Sequence, residues 1–204
     1  MRLFGFGFIL IILFSCQSNK VVNLSKRYYN LASDTMNYRV NEQNKIDSTS
    51  KSRLLIANSL LDSCIKYNST YIRAYYWKSL YLFRLKNYLE AYTTASLGIS
   101  KCAKEDEKTL VMLYFQRGIL NLHLNKTDSF GDLGNALTLY DKAIKNKPDN
   151  LDAIMNKAIV LCCMNRKDEA LEYLKSIKNK EKQPLIDDII ISINDFDMNE
   201  IFEK

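Results

Sequence analysis

Residues 132–174 read DLGNALTLYDKAIKNKPDNLDAIMNKAIVLCCMNRKDEALEYL. In this stretch Ala136 is followed four residues later by Tyr140, and Ala170 by Leu174, so each alanine shares one helical face with a large side chain. The interval between the two alanines is 34. A period of that length accommodates two helices and two turns, and predicts a chain built from repeated helix pairs.

The same period occurs earlier in the chain. Ala57 is followed four residues later by Leu61, and it precedes Ala91 by the same interval of 34. Small residues recur on the preceding helices at intervals of 39 and 40, where they would let the two helices of a pair approach closely; they are Ser79, Gly118 and Ala158. The repeat therefore covers most of the chain.

Composition agrees with an all-helical protein. Of 204 residues 47% are hydrophobic and 25% charged, with only 6 Gly and 2 Pro, which excludes collagen-like, low-complexity and turn-rich β classes. The formal net charge of +6 is spread along the chain and is not gathered into a nucleic-acid-binding run. We therefore expect no nucleic acid partner.

This pattern resembles the tetratricopeptide repeat, TPR. The matching residues are Tyr75, Ser79, Leu82 and Ala91, then Tyr114, Gly118, Ala136, Ala143 and Pro148, then Ile154, Ala158, Leu161 and Ala170. The resemblance covers roughly residues 50 to 178 and implies a right-handed α-solenoid of antiparallel helix pairs, with about nine helices. A generic helix-pair repeat is the alternative.

Within that plan we expect a TPR-like domain over residues 23–183 and a closing helix, Pro184 to Ile193, with an acidic tail over 184–204. The first pair would join Asn23–Arg39 to Lys51–Tyr67. Five positions depart from the family pattern. Lys78, Arg117 and Lys157 stand where it usually has Leu, Asn121 replaces a large apolar residue, and Trp77 lies two residues from its customary place.

The N-terminus has the form of an export signal. Arg2 is followed by twelve uncharged, largely apolar residues, fewer than the about 20 that a permanent membrane helix needs. Residues 1–15 are therefore predicted to be a signal peptide. An uncleaved signal anchor is the alternative.

The end of that segment, Leu13-Phe14-Ser15-Cys16, resembles the bacterial lipobox. The resemblance implies that Cys16 is lipidated and becomes the mature N-terminus, with residues 16–22 as a short tether. The predicted location is the bacterial cell envelope, with the domain outside the cytoplasm. In enteric lipoproteins Gln17, in place of Asp, would favour the outer membrane.

Groups that could perform catalysis are few. The single histidine, His123, has no Cys, Asp or His at metal-ligand spacing, and no phosphate-binding glycine loop occurs. We expect no enzyme activity, no cofactor and no metal. The remaining cysteines are interpreted as small core residues, with a Cys64–Cys102 disulfide as the alternative; they are Cys64, Cys102, Cys162 and Cys163.

The first helices of the pairs carry a second apolar stripe. Tyr76, Leu80 and Phe83 recur at i, i+4 and i+7, and the pattern returns at Phe115 and at Met155. In the TPR family the matching positions line a concave surface that holds a peptide or helix of another protein. The predicted groove comprises Arg73, Tyr76, Leu80, Phe83, Arg84, Met112, Phe115, Ile119, Leu122, His123, Met155 and Ile159, with Cys162 continuing the last stripe. Arg73, Arg84 and His123 could meet ligand carboxylates.

The predicted function is a membrane-anchored interaction module that binds another envelope protein. Residues 185–204 carry six carboxylates against Lys204, a net charge of −5, which leaves +10 on the rest of the mature domain. Such a tail could fill the groove itself, remain solvated or serve as a ligand for a partner. An envelope enzyme or small-ligand receptor with an inter-helix pocket, and a structural or immunity-type blocking protein, are the other classes left open.

Overall fold

The structure is a computed structural model that describes residues 5–36, 48–102, 106–126, 130–177, 182–198 and 200–203. The side chains of residues 5–20, 48, 49 and 203 are outside the description. The described residues form ten α-helices and no strand, and nine of the helices have ten or more residues. The predicted all-α fold class is therefore confirmed.

The chain divides into two compact units, Met1–Ala103 and Lys104–Lys204. The first contains α1 (Gly5–Met36), α2 (Ser48–Tyr67), α3 (Ile72–Arg84) and α4 (Tyr88–Lys101). The second contains α5 (Glu107–His123), α6 (Gly131–Asn146), α7 (Leu151–Cys163), α8 (Lys167–Ser176), α9 (Gln183–Asn194) and α10 (Glu200–Glu203). Within each unit successive long helices pack against one another, and α9 also packs against α7. The helix α9 lies at the position of the predicted closing helix, Pro184 to Ile193.

The first helix pair of the first unit is α1 with α2. Aromatic rings join them, since Tyr28 stacks on Tyr67 with centroids 5.6 Å apart. The buried Cys64 thiol lies 3.2 Å from the Ser25 hydroxyl. The predicted tether, residues 16–22, lies within α1, whereas the Cys16 side chain and residues 1–4 are outside the described part. Over the described residues, no helix has both the length and the apolarity needed to cross a membrane.

Small residues bring paired helices close together, as predicted. The Ser79 hydroxyl on α3 donates to the carbonyl of Ala91 on α4 at 2.8 Å. On α5, a Cβ added to Gly118 would lie 2.6 Å from the Cδ2 of Leu133 on α6, closer than real Cβ contacts come. Glycine is thus the residue that permits the α5–α6 approach.

The helices α3, α5 and α7 end in the same way. Lys86, Asn125 and Asn165, at intervals of 39 and 40, have φ of 60°, 49° and 60°. In each case the following residue donates its backbone N–H to the carbonyl five positions earlier, which is the 6→1 bond of a Schellman cap; these bonds are Asn87 to Leu82 at 2.9 Å, Lys126 to Asn121 at 3.0 Å and Arg166 to Leu161 at 2.8 Å. The recurrence of the cap gives independent evidence for the repeat.

The cysteines have the packing role expected of them. Cys64, Cys162 and Cys163 are buried, and among the described residues none of the four cysteines outside α1 forms a disulfide. The alternative Cys64–Cys102 bridge is therefore wrong. Burial raises the pKa of the Cys163 thiol to about 12, as expected for a thiol surrounded by apolar groups.

Candidate functional site

The predicted groove residues are divided between the two units. Five lie on α3 in the first unit, and seven lie on α5 and α7 in the second. Each set forms a surface of its own unit and is described here separately.

On α3, the apolar stripe is half-buried and the two cations are exposed. The Tyr76 ring meets Trp77 edge-on at 5.3 Å, and the Phe83 ring meets Tyr88 in the same manner at 5.4 Å. Burial raises the pKa of the Tyr76 phenol, and the Arg84 guanidinium offsets part of that increase. This helix therefore presents aromatic surface beside positive charge, a combination suited to a carboxylate-bearing segment.

On α5 and α7, the stripe is less uniform. Met112, Phe115 and Leu122 are half-buried, and Met155 is 39% exposed. Ile119, in contrast, is only 4% exposed, so it belongs to the core of the unit more than to an open surface. Ile159 is half-buried and packs against the core cluster of α7, α8 and α9.

A cleft of about 850 Å³ lies at the C-terminal ends of α5 and α7. It is lined by Leu122, His123, Cys162, Asn165, Lys167, Phe196, Asp197, Met198 and Phe202. The structure thus brings together two members of the predicted groove, Leu122 and His123, with Cys162 and with residues that follow α9. The other ten groove residues do not line this cleft.

A segment of the chain itself forms one wall of the cleft. The Phe202 ring stacks on the His123 imidazole, with centroids 4.3 Å apart and planes 21° from parallel. The Lys167 ammonium donates to the backbone carbonyl of Asn194 at 2.6 Å and to that of Phe196 at 3.5 Å. Phe196 packs against the core cluster of α7, α8 and α9. The segment after α9 is therefore held beside the cleft by contacts that include a ring stack, a lysine and apolar packing.

The chemistry of the cleft is suited to binding. Burial raises the pKa of the Cys162 thiol, which Lys167 only partly offsets, so at neutral pH this sulfur is protonated and a poor nucleophile. Within the part of the chain that the structure describes, no three His, Cys, Asp or Glu residues lie close enough to hold a metal ion.

The three cations that depart from the family pattern all form ion pairs, which sequence reasoning missed. Lys78 pairs with Asp62 on α2 at 2.6 Å, and Lys157 pairs with Asp141 on α6 at 2.7 Å. Each carboxylate stands at position i−16 relative to its lysine, a signal available in the sequence. The residue 16 positions before Arg117 is Lys101, a cation, so this spacing provides no carboxylate for Arg117.

Arg117 is paired in the following helix. Its Nε and Nη2 donate to the two carboxylate oxygens of Asp132 at 2.7 and 2.6 Å. Asn121, the fourth departure from the family pattern, donates to the same carboxylate at 2.9 Å. Two apparent irregularities of the sequence therefore belong to one polar network between α5 and α6.

A second, smaller cleft of about 410 Å³ lies in the first unit. It adjoins the Lys78 pair and is lined by Lys51, Leu55, Asn58, Ser59, Asp62, Lys78, Leu82, Leu85, Asn87 and Glu90. Asn58 is buried, and its Oδ1 has no hydrogen-bond partner among the described residues. The residues that follow the other repeat alanines are Tyr92, Leu137 and Leu171, so sequence periodicity favours an apolar residue here.

Comparison with known proteins locates the family similarity in the second unit. The tetratricopeptide repeat family matches residues 129–189, which include α6, α7 and α8 and the first part of α9. No curated protein matches the chain. Among solved structures, the chain is similar to that described as "Crystal structure of YrrB: a TPR protein with an unusual peptide-binding site", with 18% identity, a TM-score of 0.30, and coverage of 84% of this chain and 87% of that one. The predicted TPR resemblance is thus supported, over residues 129–189, by the match to the family.

Proposed function

We propose that this protein is an interaction module that binds a segment of another envelope protein on the stripes of its paired helices, without catalysing a reaction. The observation that carries the proposal is the cleft of about 850 Å³ at the C-terminal ends of α5 and α7, which is bordered by Leu122, His123 and Lys167 and by a peptide segment of the chain itself. The TPR similarity of residues 129–189 supports it, since helix-pair repeats present extended surfaces for binding.

The half-buried stripes extend the proposed binding surface within each unit. Phe83 on α3 and Phe115 on α5 are large, partly accessible rings, the kind of side chain that dominates the energy of protein interfaces. On α3, a partner segment with apolar side chains and carboxylates would bury the Phe83 ring and meet Arg73 or Arg84.

The proposal is tested by site-specific photo-crosslinking in intact cells. A photo-reactive phenylalanine analogue at position 115 should capture a discrete protein, whereas the same analogue at Lys175, exposed on α8, should not. The Phe83→Ala, Phe115→Ala double variant should lose the partner in co-purification and keep its helical circular-dichroism signal. Equal capture from positions 115 and 175, or undiminished co-purification of the double variant, would contradict a binding surface on these stripes.

The membrane anchor is a separate part of the proposal. After removal of residues 1–15, lipid attached to Cys16 would hold the domain at an envelope membrane, because acyl chains together with a second signal give stable anchoring. We propose that this membrane is the outer membrane. A Cys16→Ser variant should lose acyl labelling and leave the membrane fraction. Continued membrane fractionation with an unprocessed N-terminus would favour the signal anchor instead.

A further inference from the structure

The segment that forms one wall of the cleft is distinct from the helix that precedes it. Ile186 and Ile193 fix α9 to the second unit with 0% and 2% of their surfaces exposed. Residues 195–204 are hereafter called the tail. None of the side chains described in it, those of residues 195–198 and 200–202, is fully buried; Phe196, Met198, Ile201 and Phe202 are half-buried. Detachment of these residues would therefore leave α9 in place.

Several contacts hold the tail against the second unit. They include the Phe202 ring on His123, the Lys167 ammonium on the backbone carbonyl of Phe196 at 3.5 Å, and the Phe196 ring against the core cluster. The helix within the tail, α10, has only four residues. A segment that offers its own aromatic ring to His123 would compete with Phe202 for that position.

The tail, DFDMNEIFEK, is acidic. It carries four carboxylates and one lysine, a side-chain charge of −3 within a chain of +6. Lys167, which lines the cleft, places a cation beside the start of the tail. A segment with the same charge would meet the same cation.

We propose that the tail is a built-in competitor for the partner site, and that the partner segment has the same chemistry: short, acidic, and bearing an aromatic ring that stacks on His123. The inference rests on the proposed binding function of the α5 and α7 surface and specifies its ligand. The free site becomes available in proportion to the time the tail spends detached, so the tail lowers the apparent affinity for the partner segment.

The test is fluorescence anisotropy with a labelled peptide, DFDMNEIFEK, added to the full chain. The Phe202→Ala variant, which keeps His123 and Lys167 but weakens the chain's own competitor, should bind the peptide about tenfold more tightly than the wild-type chain. Adding His123→Ala to Phe202→Ala should abolish this gain, because the stacking partner is lost. Ile191→Ala, which alters an exposed apolar residue on α9 outside the cleft, should bind the peptide as the wild type does.

Equal affinity of the wild-type and Phe202→Ala chains, or the absence of peptide binding by both, would overturn the proposal. Concentration-dependent dimerisation of the wild-type chain that Phe202→Ala abolishes would also overturn it, since the tail would then occupy the cleft of a second copy. Capture of a protein from position 115 without peptide binding would leave the proposed function standing and remove only the competitor. Peptide binding without capture from position 115 would remove the proposed function and, with it, the partner for which the tail competes.

Discussion

The two sides of helix α6 use the same chemistry at different depths. Toward α5, Asp132 forms a two-pronged pair with Arg117, and the two side chains are 6% and 22% exposed. Toward α7, Asp141 pairs with Lys157, and the aspartate side chain is 53% exposed. A buried pair is costly to break because one charge is left without solvent, whereas a pair with one partner in water contributes little. The comparison shows that one helix of the repeat can form an ion pair on each side. The contribution of each pair to stability depends on how deeply it is buried.

Removal of Arg117 should have the largest effect on stability. In Arg117→Met the Asp132 carboxylate stays buried and retains Asn121 as a side-chain donor. We expect the free energy of unfolding to fall by about 3 kcal/mol, the loss typical of an uncompensated buried charge. Urea unfolding followed by circular dichroism measures it.

A second substitution separates charge burial from packing at this site. Asp132→Asn added to Arg117→Met removes the charge and keeps an amide that can bond Asn121, so at least half of the lost stability should return. If the double variant were as unstable as Arg117→Met, the loss of stability would come from the packing of the arginine. The buried Arg117–Asp132 ion pair would then not differ in kind from the exposed Lys157–Asp141 pair.

Packing at the same α5–α6 contact should have the second largest effect. Gly118→Ala places a Cβ 2.6 Å from Leu133, a fully buried residue, although alanine is the better helix former by about 1 kcal/mol. We expect a net loss of about 2 kcal/mol in the free energy of unfolding, since the buried leucine must shift.

Gly134, on α6, provides the matched control. A Cβ added there meets nothing within 4 Å, so Gly134→Ala should raise stability by up to about 1 kcal/mol. Opposite signs for the two glycines in parallel thermal denaturation would support a tight α5–α6 contact. A stabilising Gly118→Ala would contradict it.

These sites mark how far the sequence could predict the structure. The recurring alanine interval and the small residues at Ser79 and Gly118 act locally within one helix pair, so periodicity was enough to predict the helix pairs. The role of Arg117 was missed because a cation at a usual leucine position gives no information about depth, which depends on Asp132 in the next helix.

The position of the acidic tail was left open for a similar reason. His123 and Phe202 are far apart in the sequence, and no periodicity relates them. An acidic tail with aromatic residues is equally consistent with a solvated terminus, a ligand for a partner or a seated segment. Only the placement of the tail after α9 distinguishes these interpretations.

On the α7 side of α6, loss of the lysine should have a smaller effect than either change at the α5–α6 contact. Lys157 has two partners, since its ammonium also lies 4.1 Å from the centroid of the Tyr173 ring on α8. Lys157→Met should therefore lower the free energy of unfolding by about 1 kcal/mol, of which the cation–π contact supplies the larger part. A loss near that of Arg117→Met would show that exposure of the aspartate does not weaken the pair.

Removal of the exposed aspartate alone should have the smallest effect. Asp141→Asn keeps the side-chain volume and leaves Lys157 beside Tyr173, so only the solvent-screened attraction at 2.7 Å is lost. We expect a decrease of about 0.5 kcal/mol at low salt, and none in about 1 M sodium chloride, where the screening length is about 3 Å. The Arg117→Met loss, in contrast, should persist at high salt, because ions do not penetrate to a buried carboxylate. Urea unfolding of both variants at the two salt concentrations therefore tests burial itself: equal salt sensitivity would mean that the two sides of α6 do not differ in depth.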